Sequence, residues 1–184
     1  MDLIVKKLSE DESLRLDAAK VYLSSFYDEF KFYHKNIDVL AERLADIFDG
    51  ERVFVATLDG AVAGLACYSD NSARSVKLSL KKFVRRFGLF KGVILYIDFK
   101  ANDGKKLRLP PDTAFLEGIC VKEEFKGLGV AGKILGHAIE KTDFKEYRLL
   151  VHRDNAAAIK AYAKAGFVKL GKKGKKFLLK KNPE

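Results

Sequence analysis

The sequence predicts one α+β domain, built on a mixed, mainly antiparallel sheet that helices flank. The chain has 184 residues and is 48% hydrophobic, which suits a single globular domain spanning residues 1–184. Two strand patterns, at 52–58 and 61–68, meet at Asp59-Gly60, a strong signal for an antiparallel hairpin. Two more, at 115–121 and 147–151, are joined by a helix pattern, which favours parallel strands.

The first fifty residues alternate strand and helix patterns. Asp2–Leu8 is a short strand candidate. Ser9 is the expected cap of a first helix, because acidic residues fill the next turn and apolar residues follow at helical spacing up to Phe26. Asn36 is the expected cap of a second helix, which we expect to end at Asp49-Gly50.

Residues 72–101 repeat apolar residues at helical spacing, with basic residues clustered in the first half. Gly88 and Gly92 are expected to divide this segment into two helices or one kinked helix. A polar loop follows at 102–112. Further along, helix patterns cover 130–141 and 155–165, and the last strands, 167–170 and 175–180, are expected to pair around the turn 171–174.

A glycine-rich loop follows the strand pattern at 115–121. Gly127, Gly129 and Gly132 stand within six residues, directly before a helix pattern. The first N–H groups of a helix lack intrahelical partners and the helix dipole adds positive charge there, so bare glycine backbone suits a phosphate. The alternative explanation is a tight turn with close strand–helix packing.

Three phosphate-binding patterns compete for this loop. The Walker pattern requires Gly-Lys-Ser/Thr, which is absent. The dinucleotide pattern G-x-G-x-x-G is present, but its glycines should directly follow the first strand of a βαβ unit, whereas five residues separate Val121 from Gly127. The pattern R/Q-x-x-G-x-G/A fits Lys126–Ala131, with lysine in the first place.

A second motif lies downstream of the loop. Residues 155–167 fit the pattern N-x-x-A-x-x-x-Y-x-x-x-G-F, with Asn155, Tyr162 and Gly166 at its fixed positions. The two motifs, in this order, resemble the GNAT superfamily of N-acetyltransferases over about Phe115–Leu170, while the first hundred residues match only in element order. The resemblance implies the GNAT-like acyl-CoA N-acyltransferase fold, in which 72–101 is a helical insertion.

The resemblance also implies a binding site for acetyl-CoA. The backbone of Ile119, Cys120 and Val121 would meet the acetyl carbonyl and the pantetheine arm. Asn155 would contact that arm as well, although capping the last helix explains it equally. The pyrophosphate would lie on the loop residues Lys126, Gly127, Leu128, Gly129, Val130, Ala131 and Gly132.

Two side chains are candidates for proton transfer. Tyr162 lies two helical turns after Asn155, where the family's phenol protonates the departing thiolate; a core tyrosine is the alternative. Glu117 is the candidate general base, directly or through water, and an ion-paired strand glutamate is its alternative. Direct attack is expected rather than a ping-pong route, because neither Cys67 nor Cys120 is placed as a nucleophile.

The composition limits the partners. The net charge of +10 attracts anions, and lysines crowd residues 169–181, where a solvated edge hairpin is the simplest explanation. We expect acetyl-CoA and the primary amine of a small molecule or peptide as substrates, with no metal, no nucleic acid and no membrane span. Unpaired cysteines favour a cytoplasmic location, and a homodimer is left open. The alternative function is a non-catalytic GNAT-like module that binds RNA or membrane through its basic surface.

Overall fold

The computed structural model describes residues 2–183, which form a seven-stranded sheet with helices on both faces. The strands are β1 (Leu3–Lys7), β2 (Val53–Leu58), β3 (Ala61–Ser69), β4 (Thr113–Val121), β5 (Glu146–His152), β6 (Val168–Lys173) and β7 (Lys176–Lys181). Their order in the sheet is β1-β2-β3-β4-β5-β7-β6. Only β4 and β5 are parallel among the described strands, so the predicted mixed, mainly antiparallel α+β fold is confirmed.

The predicted helices follow one another in the predicted order, and a short helix that was not predicted, Tyr27–Phe30, lies after the first of them. They are α1 (Arg15–Ser25), α2 (Tyr27–Phe30), α3 (Ile37–Leu44), α4 (Leu80–Phe87), α5 (Leu89–Asn102), α6 (Val130–Glu140) and α7 (Ala156–Lys164). Between residues 2 and 183, none of these helices has the length and apolar character that crossing a bilayer requires.

The sheet divides the hydrophobic core into two. One face packs against α1, α3, α4 and α5, with Leu40 and Leu95 fully buried there. The other face packs against α6 and α7, around Phe54, Ile134 and Tyr147. Strand β4 therefore has one side toward α1, α3, α4 and α5 and the other side toward α6, which follows the predicted phosphate loop.

Three local signals act as the sequence predicts. The Asn36 carboxamide caps α3, accepting from the backbone N–H of Asp38 at 2.8 Å. Asp59 and Gly60 both adopt positive φ, as a tight primed hairpin turn requires. Gly166 adopts φ +86° after α7 and ends that helix.

The two helices predicted in the first fifty residues, α1 and α3, have different bounds from those predicted. α1 begins at Arg15 rather than at Ser9, because the chain first makes two short 3₁₀ turns, and Ser9 caps neither. Leu8 is fully buried and Asp11 is extended at φ −152°, so the chain is anchored and then redirected before the helix starts. α3 ends at Leu44, and a 3₁₀ turn follows it.

Helices α4 and α5 start later than the periodicity of residues 72–101 indicates. Residues 72–79 are not helical, and Val76 forms a β-bridge with Phe48. Gly88, with φ +80°, separates α4 from α5 as predicted. Gly92 does not break α5; a Cβ on it would lie 2.6 Å from the Phe83 carbonyl oxygen, so this glycine lets α5 pack closely on α4.

The C-terminal hairpin turns later than predicted. β6 extends to Lys173 and β7 begins at Lys176, so only Gly174-Lys175 forms the turn. Gly174 has φ +57°, which a tight turn favours.

Candidate active site

Strand β4 separates from β5 halfway along its length. Their parallel pairing joins Thr113–Leu116 to Glu146–Leu149, and within the described residues it ends there, although β4 continues to Val121. The backbone groups of 117–121 on that edge are therefore not used by β5. A V-shaped opening between two parallel strands results.

A β-bulge lies at the opening. Cys67 pairs with Glu117 while Leu65 pairs with Cys120, so two β4 residues oppose one residue of β3. Gly118 adopts φ +58°, a conformation that disfavours other residues.

The bulge reverses the side-chain alternation of β4. Glu117 and the Cα–H face of Gly118 lie toward α1, where a Cβ on Gly118 would be 3.2 Å from the Tyr22 ring. Ile119 and Val121 pack instead on the α6 side, while Cys120 faces the α1 side. The backbone from Ile119 to Val121 is thus re-aimed at the point where β5 leaves.

The glycine-rich loop ends at the N-terminus of α6. Gly127 and Gly129 have φ +82° and +81°, so both are needed by the turn itself. Within the described range, 2–183, no side chain caps the N-terminus of α6. Gly132 has neither a positive φ nor any neighbour within 4 Å of an added Cβ, so close packing does not explain this glycine. Space is left over the first turn of α6.

Lys126 lies at the edge of this loop. Its ammonium is 2.5 Å from a Glu123 carboxylate oxygen, and the two side chains are 59% and 84% exposed. Exposed ion pairs contribute little stability, so Lys126 is free to exchange Glu123 for another anion. Leu128, between the two glycines of the turn, is also exposed.

Tyr162 lies on α7 beside the opening. Its side chain is buried against Phe167, and burial raises the pKa of the Tyr162 phenol to about 12, with nearby Cys120 as a second cause. Among residues 2–183 the hydroxyl has no hydrogen-bond partner, and it is not fully sealed from solvent. A phenol with that pKa is protonated at neutral pH and can donate.

Asn155 caps α7. Its carboxamide oxygen accepts from the backbone N–H of Ala158 at 3.0 Å, which accounts for the oxygen. The amide NH₂ of Asn155 has no partner inside the described part of the chain and remains free to donate.

Glu117 belongs to a hydrogen-bond network on the α1 side of β4. Its carboxylate accepts from the hydroxyls of Ser69 and of Ser75, the latter at 2.8 Å, and pairs with the Arg74 guanidinium at 2.8 Å. Both ionic side chains are largely buried. The carboxylate is thus oriented by three donors.

A second carboxylate, missed by the sequence analysis, lies next to this network. Asp103 follows α5, and Arg74 donates through Nε to its backbone carbonyl while binding Glu117 through another nitrogen. Burial, then the Glu117 charge, raises the pKa of Asp103 to about 6, against the attraction of Arg74. Burial, and then the charge of Asp103, raises the pKa of Tyr22 well above its usual value.

The two cysteines lie on the same side of the sheet and are unpaired. Burial raises the pKa of the Cys120 thiol to about 12 and that of Cys67 well above its usual value. Both thiols are protonated at neutral pH, and a protonated thiol is a poor nucleophile.

The lysine-rich C-terminal hairpin has structural roles for some of its charges. Lys181 donates to the Ala165 carbonyl at 2.9 Å, at the C-terminal end of α7. The Lys169 ammonium lies 3.9 Å from the centre of the Phe177 ring. Because β6 is the edge of the sheet, these lysines also discourage pairing with another strand.

Comparisons with solved structures show the fold. An N-acetyltransferase from Staphylococcus aureus Mu50 is 18% identical, with a TM-score of 0.65 over 96% of this chain and 98% of that one. The PaiA N-acetyltransferase of Thermoplasma acidophilum, solved in complex with coenzyme A, is 16% identical, with a TM-score of 0.56 over 100% of both chains. The search of curated proteins gives no significant match.

A family model settles the classification. The model described as the acetyltransferase (GNAT) family matches residues 15–167, which cover most of the chain and include both motifs. Members of this family transfer acetyl groups from acetyl-CoA, and the strand opening, the glycine loop and the motif tyrosine all fall inside the matched range. The chain therefore belongs to the GNAT family of acetyltransferases.

Proposed function

We propose that this protein is an acetyl-CoA-dependent N-acetyltransferase that acetylates the primary amine of a small molecule or peptide by direct attack. The observation that carries the proposal is that β4 leaves β5 after Leu116 and bulges at Gly118. Among residues 2–183, no side chain caps the N-terminus of α6 and the Tyr162 hydroxyl has no hydrogen-bond partner. In this proposal the α6 N-terminus is the phosphate site, the free backbone of β4 holds the acyl arm, and Tyr162 is the proton donor.

The donor side is formed by the phosphate loop and β4. Backbone N–H groups from Gly127 to Gly132 would hold the pyrophosphate, with Lys126 as a point charge. Backbone groups of Ile119–Val121 and the free amide of Asn155 would hold the pantetheine arm. Bound acetyl-CoA supplies an activated thioester; the chain's contribution is to orient its carbonyl toward backbone N–H donors.

The acceptor side is the α1 and α5 side of β4. Glu117 and Asp103 place negative charge there, which attracts an ammonium group. An amine must lose its proton before it attacks, and an aspartate with a pKa of about 6 is ionised at pH 7.5 and well matched to accept that proton. Glu117, fixed by three donors, remains a candidate base and also holds Arg74 in place.

Tyr162 is the candidate residue that acts on the thiolate leaving group. A phenol that stays protonated at neutral pH can donate to the departing thiolate. The protonated, buried thiols of Cys67 and Cys120 favour direct attack over an acetyl-cysteine route. Two unpaired cysteines also fit the reducing cytoplasm.

A ligand-binding experiment tests the donor assignment. Saturating acetyl-CoA, at about 100 times its dissociation constant, should stabilise the fold by about 2.7 kcal/mol. For a chain of this size, the melting temperature should then rise by roughly 5–10 °C. NADH and ATP at the same concentration should give no comparable rise. A clear shift with NADH and none with acetyl-CoA would restore the dinucleotide interpretation of the glycine loop.

The non-catalytic alternative rests on the net charge of +10 and has a different signature. RNA binding through phosphates should weaken steeply as salt rises. Thiol release from acetyl-CoA across a broad panel of amines supports the enzyme. Submicromolar RNA affinity without any thiol release would replace it.

A further inference from the structure

The outer surface of α5 is apolar although it faces solvent. Phe90, Ile94 and Ile97 are 73%, 37% and 58% exposed, and Ala101 is exposed as well. The opposite surface of the same helix, with Leu95 and Phe99, is buried in the core. A helix that is apolar on both sides is normally covered on both sides.

The exposed residues form a seam. Phe90, Ile94, Ile97 and Ala101 follow one another at spacings of four, three and four residues. This is the two-in-seven repeat by which one helix packs against another helix, narrower than the stripe of a core-facing helix. With 14 residues, α5 is about 21 Å long and presents the seam over three turns.

The charges beside the seam of one copy are complementary to those of a second copy. Lys91 and Asp98 are seven residues apart and therefore lie on the same flank of the seam. When two copies of a helix pack antiparallel, the same flanks face each other, so Lys91 of one copy meets Asp98 of the other, twice. A twofold interface repeats each contact in this way.

Both side chains retain bonding capacity. Lys91 donates to the carbonyl of Phe32 at 2.8 Å and that of Tyr33 at 3.4 Å, which leaves one of its three N–H groups. Asp98 accepts from Asn102 through Oδ1 at 3.0 Å, while Oδ2 has no partner within residues 2–183.

We propose that a second copy of this chain covers the outer surface of α5, in a twofold antiparallel pair centred between Ile94 and Ile97. The seam buries apolar area, and the Lys91–Asp98 pairs fix the register. One helix pair is smaller than the roughly 1,600 Å² of a standard interface, so the dimer is reversible and depends on concentration. Helices that bind anionic membranes carry mainly basic residues beside their apolar face. Because residues of both charges flank this seam, a protein surface fits it better than such a membrane.

Sedimentation equilibrium over about 1–200 μM tests the proposal. The wild-type chain should show a monomer–dimer equilibrium, and Ile97→Glu should raise its dissociation constant at least 10-fold. Val168→Glu is the matched control: this residue is equally exposed, at 58%, but lies on the edge strand β6. It should leave the dimer unchanged. Melting curves confirm that each variant is folded.

A charge exchange tests the register. Asp98→Lys and Lys91→Glu should each weaken the dimer, because each sets like charges against one another. The double variant should restore a dissociation constant close to that of the wild type. A wild-type chain that stays monomeric at 200 μM, whether or not it sediments with anionic vesicles, overturns the proposal. So does a dimer that Val168→Glu disrupts and Ile97→Glu does not, or a double variant no better than its parents.

Discussion

At the scale of single residues, burial decides what each candidate can do. Burial raises the pKa of Tyr162 to about 12, which keeps the phenol protonated near neutral pH and suits the proposed role of proton donor rather than that of a base. Glu117 accepts from three donors and stays oriented. Asp103 has a pKa of about 6. A general base that takes a proton from an amine works best when its pKa lies near the working pH.

We expect Tyr162→Phe to lower turnover by roughly 10–1000-fold, because a positioned proton donor is lost. The affinity for acetyl-CoA should stay nearly the same, since the proposed phosphate site is the loop before α6. The melting temperature should change little, because the hydroxyl has no partner among the described residues. Steady-state kinetics beside a melting curve of the same sample measure these effects.

Tyr147→Phe is the control for that substitution. The Tyr147 hydroxyl donates to the Thr142 carbonyl at 2.6 Å, so its loss should lower stability and leave turnover per folded molecule intact. If Tyr162→Phe behaves in the same way, Tyr162 is a core residue and water protonates the thiolate.

The sequence could suggest candidate site residues that belong to local motifs, together with Glu117 on the strand before the first motif. The loop glycines occupy fixed spacings between β4 and α6, and Asn155 and Tyr162 occupy fixed spacings on α7, which follows β5. Asp103 and Arg74 are separated from Glu117 by 14 and 43 residues and meet it only through tertiary packing. A polar loop residue after a helix carries no local mark of that role.

At the scale of elements, the loop before α6 connects local geometry to ligand binding. The positive φ angles of Gly127 and Gly129 favour glycine at both positions. Gly132 has no positive φ, and among residues 2–183 no atom lies within 4 Å of an added Cβ. A side chain at Gly132 would occupy the space where the proposed pyrophosphate lies. Replacing Gly132 should therefore affect acetyl-CoA binding without affecting the stability of the fold.

We expect Gly132→Val to weaken acetyl-CoA binding at least 10-fold while the melting temperature holds or rises slightly, because valine is a better helix former than glycine by about 0.3–0.5 kcal/mol. Gly136→Val is the control, since an added Cβ there also meets nothing and lies one turn further from the helix end. Isothermal titration compares the two. Equal affinities in both variants would show that the first turn of α6 is not the phosphate site.

The limits of prediction at this scale have physical causes. Asn36 and Asp59-Gly60 were predicted correctly because a cap and a tight turn are satisfied by neighbouring backbone. Ser9 has the same local signal, but burial of Leu8 overrides it. Gly92 resembles a helix breaker in the sequence; only the packed position of α4 shows that it is a contact glycine.

At the scale of the whole molecule, ionised carboxylates act on stability in opposite directions. Hydrogen bonds from Arg86 hold the pKa of Asp46 well below its usual range and tie α4 to the turn after α3. Burial opposes ionisation of Asp70, but bonds from Ser72 and Ala73 outweigh it and lower its pKa to about 2. Both groups stabilise the fold above pH 4, and that stability is lost as the pH falls below it.

The ionised carboxylate of Asp103 has the opposite effect on the stability of the fold. Its folded pKa, about 6, lies above the usual value of 3.8, so the folded state holds this proton more tightly than the unfolded state does. The associated stability is present below about pH 4 and is lost as the pH rises to about 6. The full shift corresponds to about 3 kcal/mol, and partial exposure reduces the expected effect to about 1–2 kcal/mol.

We therefore expect Asp103→Asn to raise the free energy of unfolding by about 1–2 kcal/mol at pH 8 and to have little effect at pH 4. If Asp103 accepts the amine proton, the kcat/KM of the wild type should fall below pH 6, and Asp103→Asn should lose turnover and no longer show that fall. Urea unfolding and kinetics between pH 4.5 and 8.5 measure both, with Asp143→Asn, at an exposed loop position, as the control. Higher stability with full turnover would leave Asp103 as a buried charge without a catalytic role and return the base to Glu117. Lower stability at pH 8 would mean that the Asp103 charge is matched by Arg74, and both assignments would then be wrong.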